Sequence, residues 1–326
     1  MRGQKLGAII VALRLEDQHL EAIRAAAPGA EVVKINGREE WRARRAELES
    51  TVEVIAGVQG SDNLDLTSMP RLRWIQTGGA GNDWLIRSPE IANSDVMITN
   101  GSGVAAIPIA EHVLAMMFAL SRQIPRFTKS QLDHEWFRGE RLAEVDGSTM
   151  GIVGLGAIGE KTAEKARGLN MRVLGLRRDP TRSSPHVDRM LGPDGLMELL
   201  AVSDWVVLAS ALTSKTHGLI GEPELRAMKD TAYLINIARG ALVQEDVLVR
   251  ALREGWIEGA GLDVFEREPL PSDSPLWDMD NVLISSHYSH STPHYNDRLA
   301  DIFIENLRRY RAGEPMINVV DKQHNS

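Results

Sequence analysis

The chain has 326 residues and a mass of 36.0 kDa, and this length predicts two domains rather than one. Its 37 basic and 45 acidic side chains give a formal charge of −8, which argues against general binding to nucleic acids or anionic membranes. The complete absence of cysteine excludes disulfide bonds, a thiolate nucleophile and cysteine-based zinc sites.

The first hundred residues alternate short apolar runs with helical patterns, which predicts a parallel sheet built from βα units. The predicted strands span 6–13, 31–35, 52–58, 72–76 and 96–99, and the predicted helices span 20–27 and 39–48. The first apolar run is short, stops at Arg14 and lacks a signal-peptide cleavage site, so we interpret it as a buried strand. No apolar stretch is long enough to span a bilayer, and we expect a soluble cytoplasmic protein.

A long, mostly apolar helix is predicted at 105–122, and a loop that contains Trp136 follows it. A second βα series then supplies six strands, at 150–153, 172–176, 205–208, 233–237, 261–264 and 282–285. Its helices are predicted at 158–169, 223–228 and 245–254. Six strands with intervening helices are typical of one complete dinucleotide-binding fold. The last helix, at about 293–311, has no sheet of its own, and we expect it to return to the first domain.

A glycine-rich segment joins the first strand and the first helix of the second series. It consists of Gly154, Leu155, Gly156, Ala157, Ile158 and Gly159. A GxGxxG pattern alone often arises by chance, but the order of strand, tight turn and helix found here is the one that binds a pyrophosphate. Gly154 permits the turn, Gly156 lets the backbone approach the phosphates, and Gly159 lets the helix pack close to the strand.

Two arginines stand where an NAD-binding strand usually ends in an acid. The second strand of the series runs into Arg177, Arg178 and Asp179, so no carboxylate is placed to accept the ribose hydroxyls. Guanidinium groups instead offer charge-assisted bonds to a 2′-phosphate. The alternative is that both arginines are ordinary solvated side chains. We predict a preference for NADP(H), with NAD(H) as the alternative cofactor.

The last three strands of this series end near residues that can perform acid–base chemistry. Arg239 follows the fourth strand and His287 follows the sixth. Asp263 and Glu268 lie at and beyond the end of the fifth. Because open α/β sheets bind ligands at the carboxyl ends of their strands, these side chains should share one edge. Arg239 can bind the carboxylate of a 2-keto acid, His287 can donate a proton to the keto oxygen, and Glu268 can orient the ring.

The chain resembles the D-isomer-specific 2-hydroxyacid dehydrogenases over nearly its full length. The matching segments include LRWIQTGGAGND (72–83), AEHVLAMMFALSR (110–122), GIVGLGAIG (151–159), MKDTAYLINIARGALVQEDVLVRAL (228–252), GAGLDVFEREPL (259–270) and SPLWDMDNVLISSH (274–287). The resemblance implies an α/β fold with two doubly wound parallel-sheet domains. A flavodoxin-like substrate-binding (catalytic) domain would comprise 1–101 and 291–326, and a Rossmann NAD(P)-binding domain would comprise 102–290.

The same resemblance implies a catalytic and substrate-binding set. Arg239, Glu268 and His287 would be the catalytic residues. The backbone at Ala80 and Gly81 would contact the substrate, as would Arg239 and His287 themselves.

Cofactor contacts and assembly are implied in the same way. Asp263 would hold the nicotinamide carboxamide, while Thr213 and the backbone of Ile237 and Ala238 would line the cofactor cleft. Members of the family are typically homodimers. The arginine pair is similar to that of the NADPH-preferring glyoxylate and hydroxypyruvate reductases.

The residues around His287 depart from the family pattern. Ser286 replaces the usual proline, and Tyr288 and His290 stand where small residues are usual. We expect Tyr288 and His290 to narrow the substrate pocket or to add hydrogen-bond donors. The spacing of His287, His290 and His294 would need a helix to bind a metal, and because His287 follows a strand, no metal site is predicted.

The sequence therefore predicts NAD(P)H-dependent reduction of a small 2-keto acid, such as glyoxylate or hydroxypyruvate, to the D-2-hydroxy acid. One alternative is a non-catalytic, dinucleotide-sensing regulatory protein on the same fold. Another is an oxidoreductase of this family that acts on a different small anion such as phosphite. Formate oxidation is disfavoured because Glu268 precedes Pro269 where the formate enzymes carry glutamine. Trp136 could reach a substrate pocket across a dimer, or could pack as an anchor of its own loop.

Overall fold

The chain divides into two units, Met1–Val104 with Thr292–Ser326 and Ala105–Ser291. A computed structural model of the protein describes residues 6–57, 66–82, 84–85, 88–138 and 142–322. Val58, the last residue of a predicted strand, and Asp83, the last residue of a family-like segment, lie outside the described residues. Each unit is built around one parallel sheet.

The first unit contains a five-stranded sheet in the order β2-β1-β3-β4-β5. Its strands are β1 (Ala8–Val11), β2 (Val32–Lys34), β3 (Val52–Ala56), β4 (Trp74–Gln76) and β5 (Met97–Thr99). Its helices are α1 (Asp17–Ala26), α2 (Arg38–Leu48), α3 (Pro89–Ala92) and, from the end of the chain, α10 (Tyr295–Ala312). Apolar residues dominate the strands because both faces of the sheet are buried.

The last helix of the chain packs in the first unit. Arg311 of α10 donates a 2.7 Å hydrogen bond to the carbonyl of Ala26 at the end of α1. Phe303 of α10 is buried beside Trp74 of β4, with ring centroids 5.2 Å apart. The C-terminal segment therefore completes the core of the sheet formed by the N-terminal residues.

The second unit contains a seven-stranded parallel sheet in the order β12-β11-β10-β9-β6-β7-β8. Its strands are β6 (Thr149–Val153), β7 (Arg172–Leu176), β8 (Arg189–Leu191), β9 (Trp205–Leu208), β10 (Tyr233–Asn236), β11 (Gly259–Leu262) and β12 (Val282–Ile284). Its helices are α4 (Ala106–Ser121), α5 (Ile124–Leu132), α6 (Ala157–Gly168), α7 (Leu196–Val202), α8 (Glu222–Ala227) and α9 (Glu245–Glu254). Among the described residues, no helix is long and apolar enough to cross a membrane.

The structure corrects three expectations for the second unit. The sheet has seven strands rather than six, because β8 is a three-residue edge strand with too short a pattern to predict. The predicted loop before Trp136 contains α5, in which Pro125 occupies the first turn, where its missing N–H costs no hydrogen bond. The strand predicted at 261–264 ends at Leu262, so Asp263 follows the strand.

The order of the strands in the sheet determines which of the loops that follow them lie side by side. β10, β11 and β12 are direct neighbours and pair in parallel, so their carboxyl ends meet along one edge of the sheet. β6 and β7 are also parallel neighbours, which brings the turn after β6 close to the segment after β7. This is the edge at which open α/β sheets bind their ligands.

Candidate active site

The turn after β10 is closed by a buried asparagine. Asn236 is 1% exposed, its side-chain oxygen accepts from the amide of Ala238 at 3.1 Å, and its Nδ2 donates to the carbonyl of Arg239 at 3.0 Å. These bonds fix the backbone that presents Arg239. A Cβ on Gly240 would lie 1.8 Å from the carbonyl carbon of Phe265, so only glycine lets these two segments pack so closely.

Glu268 connects the segment after β11 with the imidazole of His287. Its Oε1 accepts a 3.0 Å hydrogen bond from the amide of Phe265, and its Oε2 lies 2.7 Å from His287 Nδ1. An ionised carboxylate can only accept, so Nδ1 carries the proton of this bond and Nε2 is left for a reacting group. The His287 and Glu268 side chains are 43% and 36% exposed, so a ligand can reach the pair.

The loop after β12 holds His287 in a left-handed backbone conformation. Its φ is +53°, and a non-glycine residue in this region costs about 1–3 kcal/mol that surrounding contacts must offset. The amide of His287 donates a 2.7 Å bond to the carbonyl of Asp263. The amides of Tyr288 and Ser289 donate to the Asp263 carboxylate at 3.0 and 3.2 Å. Three consecutive amides of this loop are thus bonded to one residue.

Asp263 lies fully buried beneath this loop. Its Oδ1 also accepts a 2.6 Å hydrogen bond from Ser285 Oγ. Burial alone would raise the pKa of this carboxyl group, but hydrogen bonds from Ser285, Ser289 and Tyr288 together outweigh burial and hold the pKa below its ordinary value. Asp263 is therefore an ionised anchor for the loop, and its contact with a nicotinamide stays a prediction.

The turn between β6 and α6 has the geometry that its glycines were predicted to provide. Gly154 has a φ of +102°, and a Cβ on it would lie 2.5 Å from the amide nitrogen of Ser210. A Cβ on Gly159 would lie 2.3 Å from the carbonyl oxygen of Gly154. A Cβ on Gly156 would meet nothing within 4 Å, so a ligand can approach the backbone at this position.

Two further observations fit a dinucleotide at this turn. α6 begins at Ala157, and the N–H groups of its first turn, including that of Ile158, have no acceptor within the helix. Ser210 Oγ is buried and, within the part of the chain that the structure describes, has no hydrogen-bond partner. A phosphate or ribose at the turn would supply acceptors for both. The residues present therefore fit the cofactor that the glycine pattern predicts.

The predicted arginine pair is divided between two environments. The Arg177 side chain is 14% exposed, and its Nη1 donates to Glu160 Oε1 at 3.3 Å. Arg178 is exposed. Asp179 accepts hydrogen bonds from the hydroxyl and the amide of Thr181, and these lower the pKa of its carboxyl group. Asp179 thus closes its own turn.

The other predicted cofactor residues lie in tight turns of the second unit. The amide of Thr213 donates a 2.8 Å hydrogen bond to Thr216 Oγ1, which closes the turn after β9. Ile237 and Ala238 are 5% and 8% exposed and lead directly into the Arg239 turn. Their contacts with a cofactor stay predictions.

In the first unit, the predicted substrate-binding loop is held by an asparagine. Asn100 Nδ2 donates to the carbonyl of Ala80 at 3.0 Å and to Asn82 Oδ1 at 3.3 Å. Ala80 is exposed and Gly81 is half-buried. The role of their backbone in substrate binding stays a prediction.

The residues that depart from the family pattern surround His287. Tyr288 is 65% exposed, and its ring centroid lies 5.9 Å from that of His290 in an edge-to-face contact. The rings of His287 and His290 are perpendicular, with centroids 6.4 Å apart.

Trp136 is 91% exposed, so it does not pack as an anchor of its own loop within this chain. Among the described residues, no group of three or more metal-ligating side chains is arranged to hold a metal.

The sequence patterns did not single out two polar residues that set this geometry, the buried Asn236 and the partly buried Ser285. Asn236 is the last residue of β10 and is 1% exposed. Ser285 follows β12 and donates a hydrogen bond to Asp263. A polar residue at the end of an otherwise apolar strand was the available signal. This signal is not specific, because such residues are also common in ordinary turns.

Comparison with known proteins identifies relatives over most of the chain. Residues 114–289 match the family model for the D-isomer specific 2-hydroxyacid dehydrogenase, NAD binding domain. A glyoxylate reductase from Pyrococcus horikoshii is 36% identical over 308 residues, which cover 89% of this chain and 90% of that protein. The matched NAD-binding region falls within the second unit, Ala105–Ser291.

Two solved structures share the fold. A D-isomer specific 2-hydroxyacid dehydrogenase from Xanthobacter autotrophicus, in complex with NADPH and MES, is 30% identical, with a TM-score of 0.80 and coverage of 98% of this chain and 100% of that one. An NADPH-dependent glyoxylate/hydroxypyruvate reductase from Sinorhizobium meliloti, in complex with NADP and sulfate, is 26% identical, with a TM-score of 0.81 and the same coverage.

Proposed function

The chain is an NAD(P)-dependent member of the D-isomer specific 2-hydroxyacid dehydrogenase family, and we propose that it reduces glyoxylate, hydroxypyruvate or a similar small 2-keto acid to the D-2-hydroxy acid. The observation that supports this proposal most directly is the 2.7 Å contact between His287 and Glu268. Arg239 follows β10, the strand next to β11, and so lies at the same edge of the sheet.

His287 acts as the proton donor in this proposal. Because Glu268 engages Nδ1, Nε2 is the atom that gives a proton to the keto oxygen during reduction and removes it during oxidation. Arg239 pairs with the substrate carboxylate through its planar guanidinium group. A reduced nicotinamide dinucleotide, held at the glycine turn between β6 and α6, would supply the hydride. The buried Asn236 and Asp263 hold Arg239 and His287 in place before substrate arrives.

The proposed cofactor is NADP(H) in preference to NAD(H). Arg177 and Arg178 follow β7, and the carboxylate of Asp179 is already bonded to Thr181. The exposed guanidinium of Arg178 can form charge-assisted hydrogen bonds with a 2′-phosphate, which NAD(H) lacks. The NADPH- and NADP-bound relatives support the same preference.

The two units have different roles in this proposal. Met1–Val104 with Thr292–Ser326 would bind substrate, through the backbone at Ala80 and Gly81 among other groups, and Ala105–Ser291 would bind the dinucleotide. The proposed boundaries are those predicted from the sequence, 1–101 with 291–326 and 102–290.

We also propose a homodimer, formed through apolar side chains that α4, α5 and the following segment expose. Phe118, Ile124, Leu132 and Trp136 are 41%, 50%, 77% and 91% exposed. Large apolar side chains exposed on successive elements are typical of protein–protein contacts. Sedimentation should show a dimer for the native protein and a monomer for Leu132→Glu. A monomeric native protein would remove this part of the proposal.

The activity is tested by following reduced nicotinamide absorbance with a panel of 2-keto acids and both dinucleotides. We expect consumption of NADPH with glyoxylate and hydroxypyruvate, and slower consumption of NADH. Tight NADPH binding without turnover of any keto acid would instead indicate a dinucleotide sensor. Reduction of NADP by phosphite, with no turnover of keto acids, would indicate the alternative oxidoreductase.

A further inference from the structure

His112 is a polar residue within the apolar helix α4, and its ring lies within hydrogen-bond distance of Ser285, two residues before His287. Its Nε2 lies 2.9 Å from Ser285 Oγ and 3.9 Å from Asp263 Oδ1. The His112 side chain is 29% exposed, so most of it lies within the second unit. The proposed chemistry gives His112 no direct task, and the position of its ring requires another explanation.

Proton counting gives these contacts a direction. The pKa of Asp263 lies below its ordinary value, because hydrogen bonds to the carboxylate outweigh its burial, so at neutral pH Asp263 can only accept. Ser285 therefore donates its one hydroxyl proton in the 2.6 Å hydrogen bond to Asp263 Oδ1. Ser285 Oγ must then accept from His112 Nε2, which assigns a proton to that nitrogen. The chain of donors runs from His112 through Ser285 to Asp263.

The end of this donor chain is the anchor of the catalytic loop. The same Oδ1 of Asp263 that accepts from Ser285 accepts the 3.0 Å bond from the amide of Tyr288. Its Oδ2 accepts the 3.2 Å bond from the amide of Ser289. While Ser285 donates its proton to Asp263, the lone pairs of its oxygen face His112, so the two hydrogen bonds strengthen each other and together orient the carboxylate.

We propose that His112 is a positioning residue, which acts through Ser285 and Asp263 to hold the left-handed backbone at His287 in the geometry needed for proton transfer. The role rests on the proposed function, because His112 acts through the proposed proton donor. Without the donor from α4, the Ser285 hydroxyl loses one of the two hydrogen bonds that fix its orientation. The bond that orients the Asp263 carboxylate then weakens, and the strained loop gains alternative conformations.

Two amide substitutions at His112 test the role with nearly equal size and polarity. In His112→Gln, the amide nitrogen reaches about as far as Nε2 and can donate to Ser285. In His112→Asn, it reaches only about as far as Nδ1 and cannot. We expect His112→Asn to lower kcat about 10-fold or more, since small misplacements of a reacting group are costly, with an unchanged KM for NADPH. We expect His112→Gln to restore most of kcat.

Hydrogen exchange in the free protein gives a second readout that does not depend on activity. The amides of Tyr288 and Ser289 should exchange faster in His112→Asn than in the native protein and at nearly the native rate in His112→Gln. Glu111→Gln, at an exposed position on the same helix, is the control and should change neither readout. In the Ser285→Ala background, His112→Asn should cost nothing further, because both residues act through one chain of hydrogen bonds.

The possible results separate the two proposals. If the native protein reduces no keto acid, the proposed function fails, and the exchange rates of Tyr288 and Ser289 alone decide the role of His112. Equal exchange in all three proteins would overturn the positioning role. The role is also overturned if the Asn and Gln variants lose equal activity, or if His112→Asn keeps native kcat while His287→Asn is inactive.

Discussion

Two parts of the second unit present charged side chains at the carboxyl ends of strands, and they are built differently. The three-strand edge, formed by segments 236–240, 263–268 and 285–289, is held by the buried side chains of Asn236 and Asp263. The arginine segment, 177–184, is held at the surface, where Arg177 contacts Glu160 and Arg178 is exposed. The edge therefore holds Glu268 and His287 in contact before a ligand binds, whereas the arginine segment leaves the Arg178 side chain exposed to one.

Replacement of His287 by asparagine should have the largest effect on the three-strand edge. The change removes the proposed proton donor, and kcat should fall by about 10³-fold. The dissociation constant of NADPH, measured by fluorescence titration, should not change, because the arginine segment and the glycine turn are untouched. Native kcat in this variant would mean that the edge is organised for some purpose other than proton transfer.

Two glycine-to-alanine substitutions test whether the backbone is packed more tightly at the three-strand edge than at the turn between β6 and α6. Gly240→Ala would place a Cβ 1.8 Å from the carbonyl carbon of Phe265, and the free energy of unfolding should fall by about 3 kcal/mol. Gly156→Ala, whose Cβ meets nothing within 4 Å, should leave that free energy unchanged or slightly raised.

The two alanine variants should also differ in nucleotide binding. Gly156→Ala should bind NADPH more weakly, since its methyl group occupies the space through which a pyrophosphate approaches the backbone. Denaturant unfolding and NADPH titration of both variants check the pair. Equal stability in the two variants would contradict the close packing assigned to Gly240.

Arg178→Gln tests the arginine segment. Loss of a charge-assisted hydrogen bond to a 2′-phosphate should weaken NADPH binding by about 10-fold, with little change for NADH. Steady-state KM values for the two cofactors check this ratio. If both cofactors were weakened equally, Arg178 would act through general charge rather than through recognition of the phosphate.

Acid should lower the free energy of unfolding through protonation of Asp263, and this effect should be smaller than those of the substitutions above. The pKa of Asp263 in the folded protein lies below its ordinary value, so the stability it contributes is fully present above about pH 4, near the unfolded value. This contribution is lost as the pH falls through the lower folded pKa. Denaturant unfolding at several pH values should show a steeper acid loss for the native protein than for Asp263→Asn, which is less stable at neutral pH. Parallel curves would contradict the anchoring role.

The sequence predicted much of the fold because its strongest patterns are local. The apolar strands and the Gly154–Gly159 turn depend on neighbouring residues, and their order along the chain implied both sheets. β8 was missed because its three residues form a strand only by pairing with β7. α5 was not predicted, because proline, which occupies its first turn as Pro125, also occurs in loops.

For the candidate site, the placement of residues was predicted in part, and their catalytic roles stay predictions. Parallel strands predicted that Arg239, Glu268 and His287 follow neighbouring strands, and the structure shows the contact between Glu268 and His287. The supporting contacts could not be predicted, because His112 and Ser285 are 173 residues apart and meet only in the folded chain. Hydrogen bonds between distant residues depend on tertiary geometry, which no local pattern encodes.

The central claim is that this edge directs hydride and proton to a 2-keto acid to form one stereoisomer. It is tested most directly by incubating the protein with hydroxypyruvate and NADPH in which both hydrogens at C4 of the nicotinamide are deuterium, then analysing the product by chiral chromatography and mass spectrometry. We expect D-glycerate with one deuterium at C2. Formation of L-glycerate, a product without deuterium, or no product from this or any other 2-keto acid would contradict it.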